Sequence, residues 1–130
     1  MTSDYEAWII SNLSKISKNI FEFGTCSGKT TYLMALNSNK DAKITTLTLK
    51  SNETSKLKIK SKDNKVSYRN MINESIYDKF LFSGEEVSSK IEVIFENSMT
   101  FNHHKYKNMI DLIFIDGGHS KKAAEIDYRL

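Results

Sequence analysis

The sequence predicts an α/β fold built on a mostly parallel sheet, and three observations carry that reading. Runs rich in β-branched and aromatic residues alternate with helical segments along the chain. A glycine-bearing loop, Gly24 to Gly28, separates the first such run from the next helix. The last apolar run ends in Asp116 and passes into Gly117-Gly118. Strands separated by helices imply right-handed crossovers, which lay the strands parallel in one sheet. At 130 residues the chain suits one domain spanning residues 1–130, with no internal repeat, low-complexity segment or boundary.

Each element has its own signal. Trp8, Ile9, Leu13, Ile16 and Ile20 recur at roughly helical spacing, and Ser3 or Asp4 can cap that opening helix. Asn19-Ile20-Phe21-Glu22-Phe23 reads as a buried strand running into a tight turn at Gly24. Thr30 to Leu36 reads as a helix ended by Asn37 to Asn39. Ala42 to Leu49 is rich in β-branched residues and suits a second strand. Met71, Ile72, Ile76, Phe80 and Leu81 support a further helix, ended near Ser83-Gly84. Ile91 to Phe95 is the third strand, Met109 to Asp116 the fourth, and Ser120 onward a last helical stretch.

Composition narrows the class. A formal net charge of +3 is mild, and much of it lies in Lys50, Lys56, Lys58, Lys60, Lys62 and Lys65. A basic run can bind phosphates. No aromatic interrupts this one before Tyr68, so no stacking platform for single strands is visible and no nucleic-acid partner is expected. The single cysteine, Cys26, rules out an internal disulfide framework. The acidic N-terminus lacks the basic start and apolar core of a signal peptide, and no apolar run is long enough to cross a bilayer. A cytoplasmic protein without a membrane partner is the expectation.

The loop Glu22-Phe23-Gly24-Thr25-Cys26-Ser27-Gly28-Lys29-Thr30 admits two readings. A phosphate-cradling P-loop needs Gly, four residues, then Gly-Lys-Ser/Thr. Gly28-Lys29-Thr30 supplies the end, but three residues separate Gly24 from Gly28 and Phe23 stands where the first glycine belongs. The other reading is Glu-x-Gly-x-x-x-Gly at a strand–helix turn, where Gly24 lets the backbone come close to a ligand.

With Phe114-Ile115-Asp116-Gly117-Gly118-His119-Ser120, this loop resembles the motif pair of a subgroup of class I S-adenosylmethionine-dependent methyltransferases. The resemblance runs from about Phe21 to Leu130. It implies a Rossmann-like three-layer α/β/α domain. The four strands read here would form part of its sheet, in the order 3-2-1-4. It implies S-adenosylmethionine as cofactor, with Glu22 answering its ammonium group and Gly24, Thr25, Cys26, Ser27 and Gly28 lying against its methionine part and ribose. Cys26 stands where the family often has a third glycine. An acidic residue usually ends the second strand to hold the ribose hydroxyls; here Thr48 stands there, with Glu53 a few residues late. Asn97-Ser98 replaces the frequent Asp-Ser pair near the adenine. Both departures remove a negative charge.

Methyl transfer needs alignment of acceptor, carbon and leaving sulfur, and a base when the acceptor is a hydroxyl. Asp116 and His119 sit at the carboxyl end of a strand, where open parallel sheets bind ligands, and are the candidate catalytic pair. His119 as a helix cap is the plainer alternative. The implied reaction is O-methyl transfer to a small molecule or glycan. A metal site is not expected, because the usual partners of Asp116 would come from a later strand; His103, His104 and Asp127 read as surface residues. The fourth strand would be an edge apolar on both faces, a route to homo-oligomers. The rival functions are a P-loop-type nucleotide binder and a non-catalytic remnant. The chain alone is expected to be inactive, since one of its two substrate surfaces is missing.

Overall fold

The computed structural model describes residues 2–50 and 76–116, with Arg69, Ile72 and Asn73 between them. Helix α1 (Asp4–Ile16) opens on the N-cap Ser3, whose hydroxyl accepts from the Glu6 amide while the Glu6 carboxylate accepts from the Ser3 amide. This reciprocal capping satisfies two donors that the helix start leaves open. Strand β1 (Asn19–Phe23) leads to α2 (Lys29–Asn37) and then β2 (Lys43–Thr48). A 3-10 turn at Glu86–Lys90 enters β3 (Ile91–Phe95), and another at His103–Tyr106 precedes β4 (Leu112–Ile115).

All strand pairs are parallel, and the sheet runs β3-β2-β1-β4. This is the predicted α/β architecture and strand order. Strand alternation sends Ile20 of β1 and Ile44 of β2 to the face covered by α1 and α2, where they pack with Ile10, Met34 and Ala35. Phe21, Phe23 and Leu47 point to the other face and pack with Phe101, against which Tyr106 and Ile110 of the connection to β4 also lie. Asp111 fixes the entry to β1, because its Oδ2 accepts from the amides of Lys18 (2.9 Å) and Asn19 (2.8 Å). Those two bonds hold its carboxyl below the usual carboxylate range.

One expectation changes. The helix expected to run on to Ser83 does not include its last residues: Ile72 is helical, but Ile76 to Phe80 is irregular and Leu81 to Gly84 is a turn. Phe80 and Phe82 stack on each other, with centroids 5.2 Å apart, and both are buried. That i, i+2 pairing needs an extended or turning backbone, since helical neighbours are three or four apart. Met71 lies outside the described residues, as do the Lys-rich segment from 51 to 68 and the last helical stretch from Ser120.

The spacing that marks α1 as a helix leaves open which side it buries. Trp8 is 64% exposed and Ile16 81% exposed, with Tyr5 and Leu13 also outward. The helix instead packs through Ile10 and Ser14, both buried. Ile10 packs there with Met34 and Ala35 of α2, and a buried hydroxyl pair, Thr2 with Thr30 at 2.7 Å, ties the two helix starts together.

Candidate cofactor site

β1 lies between β2 and β4, and the loop after it emerges at the carboxyl end of the sheet. The loop turns sharply: Gly24 has φ 97°, Cys26 φ 49° and Gly28 φ 80°. The first and last of these belong to glycine's range; Cys26 holds a left-handed conformation that side chains rarely adopt. The turn is closed at several points. The Gly24 amide donates to Leu47 O (2.9 Å), the Gly28 amide to Thr25 O (2.7 Å), and the Leu81 amide to Ser27 O (2.9 Å). A methyl group added at Gly28 would stand 2.7 Å from the Phe82 ring and 3.0 Å from Phe80 Cβ. Glycine is therefore required there by packing as well as by backbone.

The alternation of β1 places Glu22 on the α2 face, opposite Thr46 of β2. Its carboxyl is wholly buried. Oε2 accepts from the Thr46 hydroxyl (2.6 Å) and from the Thr31 hydroxyl of α2. Oε1 has no hydrogen-bond partner among the described residues. Burial pushes the carboxyl up to about 7, against the pull of the two hydroxyls, with the nearby Asp116 carboxylate adding to the rise. Glu22, expected to answer an ammonium group, is thus buried against α2. Thr25 is also inward, its hydroxyl 2.7 Å from that of Thr46.

The other expected residues are placed as follows. Asp116 follows β4 directly, is exposed, and donates its amide to Phe23 O at 2.9 Å, so it stands beside Gly24. Thr48 ends β2, half-buried and in register with Phe95. Asn97 and Ser98 follow β3. The side-chain oxygen of Asn97, a residue expected near the adenine, accepts from the Met99 amide at 3.0 Å. His119 and Asp127 lie outside the described residues. His103 and His104 stack on one another in the 3-10 turn, and among the described residues no cluster of three metal-ligating side chains occurs. No helix among the described residues is long and apolar enough to cross a membrane.

Thr31, Thr46, Phe80 and Phe82 were missed as site-building residues. One signal was readable: Glu22 and Thr46 are polar positions within otherwise buried strands, and a buried carboxyl needs donors. The partner on α2 was not readable, because only the helix packing selects Thr31 over Thr30.

Nothing supports the P-loop alternative. Phe23 is buried in the sheet where the first glycine would be needed, and Lys29 is exposed at the start of α2.

The chain belongs to the methyltransferase-domain family, whose profile matches residues 21–130. No curated protein shows significant similarity to the sequence. Among solved structures, the chain is similar to the O-methyltransferase TomG of Streptomyces achromogenes, involved in tomaymycin synthesis and solved with S-adenosylmethionine. The identity is 13% and the TM-score 0.58, over 90% of this chain and 45% of that one. It is similar to a Staphylococcus aureus protein provisionally assigned as a caffeoyl-CoA O-methyltransferase, at 19% identity and TM-score 0.61, over 97% and 52% of the two chains. An O-methyltransferase of Bacillus cereus, solved with S-adenosylhomocysteine, matches at 19% identity and TM-score 0.53, over 90% and 46%. The chain spans about half the length of these structures. At such identities they bear on the fold, which is Rossmann-like.

Proposed function

We propose that this chain is the cofactor-binding part of an S-adenosylmethionine-dependent O-methyltransferase acting on a hydroxyl of a small molecule or glycan. The observation that carries the reading is the family match over residues 21–130, joined to a left-handed glycine loop at the carboxyl end of a central parallel strand. The residues fit the group. Helix α2 begins with no side-chain cap at Gly28 and no acidic residue in its first turn, so its N-terminal amides suit the cofactor's carboxylate. Gly24, Cys26, Ser27 and Gly28 bring backbone close to the methionine part. Thr48 takes the ribose hydroxyls, and Asn97-Ser98 borders the adenine. Bound there, the cofactor supplies an electrophilic methyl group. Asp116, beside Gly24, orients the acceptor, and His119 accepts the hydroxyl proton. The chain needs no nucleic-acid partner for this chemistry, works in the cytoplasm, and can self-associate through β4.

Calorimetric titration tests the reading. S-adenosylmethionine and S-adenosylhomocysteine are expected to bind, and Mg-ATP is not. Binding of Mg-ATP that is lost in Lys29→Ala, with no response to S-adenosylhomocysteine, would overturn it.

A further inference from the structure

The direction of the hydrogen bonds around Glu22 can be worked out from the chemistry of the groups. Both threonine hydroxyls donate to Glu22 Oε2, and a hydroxyl has one hydrogen to give. Thr46 gives its hydrogen to Glu22 Oε2, so in the 2.7 Å contact between Thr25 and Thr46 the donor is Thr25. The chain therefore runs from Thr25 to Thr46 to Glu22. Thr25 is also the residue whose carbonyl accepts from the Gly28 amide at 2.7 Å and closes the turn. From the other side, Thr31 in the first turn of α2 donates to the same Oε2. Both ends of the loop, Thr25 before it tightens and Thr31 after it, are anchored on one carboxyl oxygen. The second oxygen, Oε1, takes no part among the described residues.

We propose that Glu22 is a positioning residue for the glycine loop, holding Thr25 through Thr46 and the start of α2 through Thr31, and that it does not touch the cofactor. The proposal rests on the loop being the cofactor loop, as argued above. It separates Glu22 from a direct ionic partner by what each role requires. A positioning anchor needs an acceptor oxygen at Oε2, which glutamine also supplies. An ammonium partner needs the charge, which glutamine lacks.

The experiment measures S-adenosylhomocysteine affinity and, without ligand, the rate at which iodoacetamide alkylates Cys26, the chain's single cysteine and part of the loop. Glu22→Gln is expected to stay within about twofold of wild type in affinity. Glu22→Met and Thr46→Val are each expected to lose about tenfold, the size of one hydrogen bond to a charged group. Both should also alkylate faster, Thr46→Ser should restore both readings, and the Glu22→Met/Thr46→Val pair should be no worse than Glu22→Met alone. A loss in Glu22→Gln as large as in Glu22→Met would overturn the proposal in favour of direct contact. Unchanged affinity and unchanged alkylation in Thr46→Val would overturn it too. If wild type binds no S-adenosylhomocysteine while Thr46→Val still speeds alkylation, loop positioning stands and the cofactor assignment falls.

Discussion

The carboxyl end of β1 and the carboxyl ends of β2 and β3 make opposite use of polar groups. At β1, a carboxyl is fully buried and shared between two hydroxyls, and Gly28 at the end of the loop lies against the Phe82 ring and Phe80 Cβ. At β2 and β3, Thr48 and Asn97 are half-buried and neutral, and Asn97 spends its side-chain oxygen on its own turn. The first region is shaped by burial, so its parts tolerate little change. The second is solvent-facing, so a substitution there alters ligand contacts more than the fold. The difference locates the rigid half of the candidate site at the loop and its adaptable half at the outer strands.

The largest effect expected is at Gly28. Gly28→Val puts a branched side chain at φ 80°, with its Cβ 2.7 Å from the Phe82 ring. Overpacking and left-handed strain together should cost about 2–5 kcal/mol, read as a drop in urea midpoint. A loss under about 1 kcal/mol would mean that the Phe80–Phe82 turn yields, and the rigid half would not be rigid.

Next comes pH. The folded value of Glu22 is about 7 against an ordinary 4.5. A raised folded value means that the protonated form favours the native state. Its contribution is complete below pH 4.5 and is lost as pH rises through about 7. The loss amounts to roughly 3 kcal/mol. Denaturation midpoints from pH 4.5 to 8 should fall accordingly in wild type, while Glu22→Gln should lack that component of the slope. Identical slopes in the two proteins would show that the carboxyl is solvated.

Two smaller effects probe the outer strands. Thr48→Asp places a carboxylate at the end of β2 and should tighten S-adenosylhomocysteine binding by roughly 1.5–3 kcal/mol, with little change in stability. Weaker binding would place the ribose elsewhere. Asn97→Ala removes the acceptor of the Met99 amide and should cost about 1 kcal/mol in thermal stability. No change in melting would show that water replaces that bond at no cost, which would make the contrast between the two halves sharper still.

Much of the fold was legible in the residues themselves. Asn19 to Phe23, Lys43 to Thr48 and Ile91 to Phe95 fall within the runs whose β-branched and aromatic content marked them, alternation with helices implied parallel strands, and the family resemblance implied their order. The loop was legible because left-handed backbone selects glycine at Gly24 and Gly28. Tertiary structure alone decided the rest. Periodicity identified α1 as a helix but not which side it buries. Its apolar residues Trp8 and Ile16 face outward because the close contact with α2 is made through Ile10 and Ser14. Helical spacing at Phe80 and Leu81 gave way to a turn that stacks Phe80 on Phe82 and sets the Phe82 ring against Gly28. Glu22 was recognisable as part of a motif, yet its direction depended on the pleat of β1 beneath α2, and its charge on burial, opposed by the Thr31 and Thr46 hydroxyls. Local sequence carries backbone preference. Burial and hydrogen-bond partners arise only when distant segments meet, and here they determine what a carboxyl at the end of β1 can do.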